Sequence, residues 1–198
     1  MYLGFLQKFS LGGEIVSYNK KVCEKAEIMD SCAMDRALSR MTYQIIERNH
    51  GVDNLVLVGI YSRGCELSQR IKQRIKLLEE KDVPSGFLDI TKYRDDQKTP
   101  EDYKEKTNIN FDYKNKTVIL IDDVMYTGRS VRAAIEGIMR MERPKSVQLA
   151  VLIDRGHREV PIRPDYVGKN LPTAKNETVK VEVKEIDGKD RVSILNIA

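Results

Sequence analysis

Apolar residues early in the chain follow two different spacings, and each spacing predicts a buried element. Five of them recur every three or four positions: Met34, Ala37, Leu38, Met41 and Ile45. This spacing predicts an amphipathic helix over residues 31–50, with Ser31 as its N-cap. Residues 55–60 read LVLVGI, an apolar run without alternation, which is typical of a strand covered on both faces in a parallel sheet.

Helices and strands continue to alternate along the middle of the chain. The further predicted elements are a helix ending near residue 80, a strand at 87–93, a strand at 117–122, a helix at about 129–141 and a strand at 146–153. The last three form a βαβ unit. Such alternation predicts an α/β fold with a parallel sheet and right-handed crossovers.

Two segments do not fit the parallel sheet. Residues 94–116 are polar and carry little that could be buried, so we expect a mobile loop that acts as a lid over a site. The alternating runs VKVEVKEI at 179–186 and RVSILNI at 191–197 flank Asp187 and Gly188. We expect them to form a small antiparallel flap or the edge of the sheet.

The amino-acid composition excludes several classes of protein but does not identify a function. The chain has 198 residues, 41% hydrophobic and 32% charged, which suits one domain with a proper core. The net charge of +4 is too small to attract polyanions unless the basic residues cluster. Three cysteines make no disulfide framework or zinc pattern, and no apolar run reaches the length of a membrane span. We therefore expect a cytoplasmic protein that does not bind membranes.

The N-terminus has an unusual feature. Residues 12–17 read GGEIVS. The codons for Gly, Gly and Glu are compatible with a ribosome-binding sequence that has been translated as part of the protein. We expect that the start is assigned too early and that Val16, whose codon can be GTG, is the true initiator. Residues 1–15 would then be disordered or absent from the native protein. We expect residues 1–24 to form an N-terminal extension and residues 25–198 to form the domain.

The motif VILIDDVMYTGRS at residues 118–130 combines a strand end, two acids and a helix start. Ligands of open α/β sheets bind at the carboxyl ends of the strands, and the free N–H groups of a helix N-terminus favour a phosphate. Asp122 and Asp123 can accept hydrogen bonds from sugar hydroxyls. The pattern thus predicts a ribose 5-phosphate site, although acids before a helix also commonly cap turns. The sequence has no GxxxxGK[ST] or GxGxxG motif, which argues against nucleoside triphosphates and dinucleotides.

This motif resembles the phosphoribosyl diphosphate (PRPP) motif of the type I phosphoribosyltransferases. The segments RALSR, IIERN, LVGIYSRG, LDITKYRDD and QLAVLIDRGHREVPIRPDYVGKNLPT resemble one bacterial branch, which joins attenuation of pyrimidine operons to uracil phosphoribosyltransferase activity. The resemblance covers about residues 25–198. The chain departs from it in the extension, in parts of the first helix and in the loop after Asp96.

The resemblance implies a fold, a reaction and a set of residues. The fold is a central parallel sheet flanked by helices, with a small flap and a mobile loop. Uracil displaces diphosphate from PRPP to give UMP, with Mg²⁺ as cofactor. Asp122 and Asp123 would hold the ribose hydroxyls directly or through the metal, and Arg94 would close over the diphosphate. The implied substrate-binding residues are Ser62, Arg63 and Gly64 for diphosphate, Tyr126, Thr127, Gly128, Arg129 and Ser130 for the 5-phosphate, and Arg155 and Val179 near uracil.

Each assignment has a plainer alternative. Arg63 can be a surface arginine, and Arg94 can pair with Asp95 on an exposed loop. His157 suggests a general base, but a lone histidine in an arginine-rich turn is more often structural or RNA-facing, so we do not count it as catalytic.

The branch also implies that the UMP-bound protein binds pyrimidine-operon leader mRNA and favours termination. The implied RNA-binding residues are Ser39, Arg158, Arg163 and Lys169. Residues 155–175 contain five basic residues against Glu159 and Asp165, a modest patch that a homodimer or higher homo-oligomer would repeat. Charge alone favours a solvated loop face over an RNA-binding patch, and only the resemblance reverses this preference. Two further alternatives are a regulator with vestigial activity and a purine-type transferase without RNA regulation.

Overall fold

The computed structural model describes residues 22–96 and 98–197, so residues 1–21, including the proposed initiator Val16, lie outside the described residues. The strands are β1 (Val22–Met29), β2 (Leu55–Ile60), β3 (Ser85–Leu88), β4 (Thr117–Met125), β5 (Ser146–Asp154), β6 (Tyr166–Asn170), β7 (Glu177–Glu182) and β8 (Arg191–Ile197). The helices are α1 (Ser31–Arg48), α2 (Arg63–Glu79), α3 (Arg129–Met141) and α4 (Lys184–Asp187), with a 3-10 turn at Thr91–Tyr93.

The predicted parallel sheet is confirmed. It has five strands in the order β3-β2-β4-β5-β6, all parallel. Alternate residues of the central strands serve two cores, because successive side chains point to opposite faces. Leu57 and Ile119 pack with α1 and α2, whereas Val58 and Leu120 pack with α3. Helices on both faces explain why β2 is apolar throughout.

Several predicted element boundaries are wrong, and three of them have a clear local reason. The N-cap of α1 is Asp30, whose carboxylate accepts a hydrogen bond from the Ala33 N–H (2.7 Å), and not Ser31. The strand predicted at 87–93 ends at Leu88, and Asp89 accepts from the N–H and the hydroxyl of Thr91 to start the 3-10 turn. Strand β4 continues to Met125 because its last residues pair with β5.

The predicted antiparallel flap is confirmed, with one strand more than expected, but the alternating run at 179–186 is a strand only as far as Glu182. The flap has the order β1-β8-β7, and the connection between β7 and β8 contains the short helix α4 as well as the turn at Gly188. Strand β1 begins at Val22, inside the segment expected to be an extension, and pairs with β8. The sequence did not predict β1, because this edge strand is rich in charged residues. Strand β6 was not predicted either.

The loop of residues 94–116 is anchored at its far end. Phe87 and Asn108 form an antiparallel bridge, with N–H to carbonyl distances of 3.0 and 2.9 Å. The buried Tyr113 donates its hydroxyl to the Ile138 carbonyl at 2.9 Å. Within residues 22–96 and 98–197, no helix is both long enough and apolar enough to cross a membrane.

Candidate functional site

A cavity of about 850 Å³ lies at the carboxyl edge of the parallel sheet. Six of the predicted site residues line it: Ser62, Arg63, Arg94, Asp122, Asp123 and Ser130. They come from the start of α2, the end of β4, the start of α3 and the beginning of the loop. The fold thus brings together residues up to 68 positions apart, from Ser62 to Ser130, around one space.

The acidic pair is the most electrostatically unusual part of this cavity. Asp122 is only 8% exposed and accepts a hydrogen bond from the Asp123 N–H (2.9 Å). Burial raises the pKa of Asp122 well above its usual range, and the neighbouring Asp123 carboxylate raises it further. Burial also raises the pKa of Asp123. Two such carboxylates favour a ligand that brings hydroxyl donors or a cation.

These carboxylates do not cap the following helix. The N-cap of α3 is Gly128, with φ of 91°, and it makes no side-chain capping bond. A Cβ at Gly128 would lie 2.5 Å from Cγ2 of Val160, so a larger residue would displace the neighbouring segment. The turn therefore leaves the first N–H groups of α3 beside the cavity, where Ser130 forms part of the wall.

Thr127 and Arg129 lie at the start of α3 without lining the cavity. Thr127 accepts from the Arg129 N–H at 3.4 Å, and the Arg129 guanidinium pairs with Glu159 (2.7 Å) and Asp95 (3.4 Å). Arg129 thus ties the start of α3 to the base of the loop and to residue 159. Its side chain is directed to these acids, a placement that the sequence did not indicate.

Gly64 lies beneath the cavity and supports its floor. A Cβ at Gly64 would lie 2.5 Å from the Ile121 carbonyl oxygen and 3.4 Å from Cα of Asp122. The absence of a side chain therefore allows the start of α2 to pack against β4 directly beside the acidic pair.

The loop supplies the opposite wall, and Asp89 anchors it. The Asp89 carboxylate accepts from Thr91 and from the Lys106 N–H (3.3 Å). Burial by itself raises the pKa of Asp89, but the hydrogen bonds from Thr91 lower it overall. Lys106 places its Nζ 4.7 Å from the ring centroid of Tyr61, and both residues line the cavity. Sequence reasoning missed Asp89, Tyr61 and Lys106, since a lone acid or lysine near a strand end carries no specific signal.

Arg94 joins the loop to the start of α3. Its guanidinium forms an ion pair with Asp96 and donates to the Ser130 hydroxyl at 3.2 Å. The predicted alternative partner Asp95 instead contacts Arg129 and Arg132.

The residues expected near uracil, Arg155 and Val179, do not line the cavity. The Arg155 guanidinium is buried 4.0 Å from the ring centroid of Tyr126 and donates to Thr173 (3.0 Å) and to the Glu177 carbonyl (2.6 Å). Burial lowers its pKa. Val179 lies on β7, half-buried against the core. His157 contacts the Thr173 carbonyl, in keeping with a structural role.

The four predicted RNA contacts differ in how available they are. Arg163 is exposed between β5 and β6, and Lys169 is exposed on β6, where it donates to the Ile28 carbonyl at 3.3 Å. Ser39 lies on α1 and donates to the Asp35 carbonyl. Arg158 is directed inward: it pairs with Asp154 (2.6 Å) and donates to the Tyr126 carbonyl (2.9 Å). Arg158 therefore joins the turn that follows β5 to the motif at residues 118–130.

The acidic pair also fits a magnesium ion shared with a substrate. No group of three or more His, Cys, Asp or Glu residues in the described part of the chain could hold a metal by itself. Mg²⁺ is usually bound through one or two carboxylates together with water and substrate phosphates. Asp122 and Asp123 supply two carboxylates in the cavity wall.

Known proteins resemble this chain in both sequence and structure. A family model described as a phosphoribosyl transferase domain matches residues 25–186. The chain is 55% identical to the Bifunctional protein PyrR of Limosilactobacillus fermentum over 174 residues, which is 86% of this chain and 97% of the relative. It is 56% identical to that of Streptococcus uberis, over 87% of this chain and 98% of the relative.

Solved structures agree on the fold. The hypoxanthine phosphoribosyltransferase of Trypanosoma cruzi has a TM-score of 0.67 at 14% identity, covering 88% of this chain and 98% of that one. A hypoxanthine-guanine phosphoribosyltransferase from Bacillus anthracis has a TM-score of 0.65 at 18% identity, covering 87% and 98%. At such low identity the likeness concerns the fold alone.

Proposed function

Because the chain belongs to the phosphoribosyl transferase domain family, we propose that it converts uracil and PRPP to UMP and diphosphate. We further propose that its UMP-bound form binds pyrimidine-operon leader mRNA and attenuates transcription. The proposal rests mainly on one observation: the buried Asp122 and the half-buried Asp123 lie close in the chain to the helix start at Gly128 and line one cavity together with Arg63. The identity of about 55% to proteins named bifunctional supports pairing catalysis with a second activity.

The reaction requires positioning more than covalent help. A bond forms between N1 of uracil and C1 of the ribose, the bond from C1 to the diphosphate oxygen breaks, and the N1 proton passes to the released diphosphate or to water. The carboxylates of Asp122 and Asp123 would accept from the ribose hydroxyls, and the α3 N-terminus with Ser130 would bind the 5-phosphate. Asp122 and Asp123 would also hold Mg²⁺ together with PRPP, and the ion would neutralise charge on the leaving diphosphate.

The basic residues of the cavity act on the leaving group. Ser62 and Arg63 line the wall at the start of α2 and would contact diphosphate there. Arg94 at the loop base and Lys106 further along add positive charge on the other side. Because charge builds on diphosphate as its bond breaks, prepositioned cations stabilise the transition state. A closed loop also excludes water, which would otherwise hydrolyse PRPP.

Uracil would bind next to Tyr126 and the Arg155 backbone. The Arg155 side chain holds residues 173 and 177 in place, so its contribution is to shape the pocket together with the Val179 region.

We place the protein in the cytoplasm, because Cys23, Cys32 and Cys65 are unpaired as in reducing compartments. We expect a homodimer or higher homo-oligomer, which sedimentation would reveal as a mass of at least twice 22.7 kDa.

Regulation requires that UMP bind the RNA-competent state more tightly than the other state. By linkage, RNA must then tighten UMP by the same factor. Arg163, Lys169 and Ser39 are the proposed RNA contacts. Arg158 contributes by holding its turn against the Tyr126 carbonyl.

Two assays run side by side test the proposal. Turnover of uracil with PRPP, together with leader-RNA binding that strengthens with UMP, is the expected result. RNA binding without turnover would favour a regulator with vestigial activity. Turnover of hypoxanthine but not uracil would favour a purine-type enzyme. Equal RNA affinity with and without UMP would refute gating by the nucleotide.

Replacing Arg163 with alanine is expected to weaken leader-RNA binding about tenfold and to leave uracil turnover unchanged, because this exposed side chain lies outside the cavity. A gel-shift titration at saturating UMP measures the first effect and a radiolabelled uracil assay the second. Lys114→Ala, which removes an equal charge from another exposed position, is the matched control. Equal losses of affinity in the two variants would mean that only net charge matters.

A further inference from the structure

The flap contributes an acid to the diphosphate side of the cavity, although it does not line the cavity itself. Asp187, the last residue of α4, accepts two hydrogen bonds from Arg63: from Nη2 at 2.8 Å and from Nε at 3.2 Å. The two residues are 124 positions apart. We propose that Asp187 is a positioning residue that orients the Arg63 guanidinium for the diphosphate group of PRPP, an inference that rests on the proposed function.

The geometry determines which part of Arg63 can meet a ligand. Asp187 engages Nε and one Nη2 hydrogen, so the remaining donors, chiefly those on Nη1, form the edge available to the cavity. A bidentate arginine–carboxylate pair fixes the plane of the guanidinium as well as its position. Without Asp187, the four rotatable bonds of Arg63 would let this edge sample other directions.

Asp187 is itself held in place. Its Oδ2 also accepts from the Val183 N–H at 2.8 Å, within the same short segment between β7 and β8. Burial raises the pKa of Asp187, but the hydrogen bonds from Arg63 and Val183 lower it overall, so the carboxylate is charged at neutral pH. Asp187, whose side chain is 17% exposed, thus holds the more exposed Arg63, whose side chain is 30% exposed.

Charge balance favours this arrangement before substrate binds. Arg63 is close enough to Asp123 for the two charges to influence each other's pKa values. An Arg63 free to turn could pair directly with Asp123 and block the place of the ribose hydroxyls and the metal. Asp187 keeps the guanidinium on the flap side, where it can receive diphosphate and leave Asp123 available.

A matched contact on the same segment provides the control. Asp190 accepts from Arg70 at 2.6 Å and from the Lys184 N–H at 2.8 Å, and its side chain is 16% exposed. It resembles Asp187 in chemistry, in burial and in joining α2 to the flap. Arg70 does not line the cavity. The two acids should therefore contribute similarly to stability, and only Asp187 should influence PRPP.

The experiment compares Asp187→Asn with Asp190→Asn in the full chain. Asparagine keeps one oxygen for the Val183 N–H and removes the charge. We expect Asp187→Asn to raise the KM for PRPP about tenfold, in line with the usual effect of removing a residue that orients a ligand-binding group, with the KM for uracil changed less than twofold. Asp190→Asn should change neither KM by more than about twofold.

Two further measurements identify the route of the effect. In an Arg63→Ala background, Asp187→Asn should raise the KM for PRPP less than twofold, because the group it orients is gone. Asp187→Glu should recover part of the wild-type value, and it serves as the test variant if the asparagine variant fails to fold. An unchanged KM, the same increase in both backgrounds, or an equal increase in Asp190→Asn would overturn the proposal.

Calorimetric binding of diphosphate with Mg²⁺ separates this inference from the proposed function. It needs no turnover, so an enzyme inactive on uracil could still show the weakened binding in Asp187→Asn. Wild-type turnover with unaltered binding in the variant would overturn the role of Asp187 and leave the proposed reaction standing.

Discussion

Replacing Asp123 with asparagine is expected to lower kcat/KM for PRPP by about 10²- to 10³-fold, the usual cost of removing one preorganised group that acts on the transition state. The amide keeps an oxygen to accept from the Val124 N–H, so the local backbone is retained. It loses the negative charge that would hold the ribose hydroxyls and the metal. Steady-state kinetics with varied PRPP at fixed Mg²⁺ measure the loss.

The same substitution should make the fold more stable. Burial raises the pKa of Asp123 and Asp122 in the folded protein, so ionising the pair destabilises the fold at neutral pH. A neutral amide removes one of the two charges. We expect thermal unfolding to shift upward by about 2–4 °C, the change that about 1 kcal/mol produces in a chain of this size. Stability and activity thus change in opposite directions, as is common at functional sites.

The matched control is Asp112→Asn. Asp112 is exposed, and its carboxylate also accepts from a nearby backbone N–H, that of Lys114. It should leave kinetics and melting temperature nearly unchanged. RNA affinity at saturating UMP should stay near the wild-type value in both variants. An Asp123→Asn enzyme with near-normal kcat/KM, or one that melts earlier than wild type, would contradict our interpretation of the pair.

A Gly64→Ala substitution is expected to destabilise the protein by about 3 kcal/mol, the upper range for overpacking a tight site. The new Cβ would approach the Ile121 carbonyl oxygen to 2.5 Å, and this oxygen belongs to a central strand that cannot easily move. The start of α2 must therefore shift away from β4. Urea unfolding followed by circular dichroism measures the stability loss.

The shift should also reduce catalysis in whatever protein remains folded. Ser62 and Arg63 precede Gly64 and would move with it relative to Asp122. We expect a rise in the KM for PRPP at temperatures where the variant is fully folded. Gln73→Ala, on an exposed position of the same helix, should change stability by less than about 0.5 kcal/mol. A Gly64→Ala variant as stable and active as Gln73→Ala would show that α2 and β4 pack less tightly than the structure indicates.

The central sheet was predictable because its signal is local. Helices α1 and α3 each bury a face that their own residues define by spacing, and strands β2 and β4 are recognisable as continuous apolar runs. The motif at residues 118–130 likewise places two acids and a helix start next to each other by covalent connection alone. These features identified the fold class and the core of the candidate site.

Strand β1 and helix α4 show where local reasoning failed. In β1, residues 23–27 are exposed, and the strand is held by backbone hydrogen bonds to β8, which any sequence can make. Helix α4 has only four residues and lies where Asp187 and Gly188 predicted a simple turn. Neither element has a hydrophobic period of its own, so its position depends on its neighbours.

The sequence by itself therefore determined the parallel sheet, the acidic pair at the end of β4 and the start of α3 that follows it, because each depends on residues adjacent in the chain. Only the tertiary structure decided that Asp187 holds Arg63, that Arg158 is directed inward to the Tyr126 carbonyl, and that Gly64 packs against Ile121. These contacts join residues 32 to 124 positions apart. Side-chain contacts at such separations depend on how the whole core packs, so no local sequence pattern predicts them.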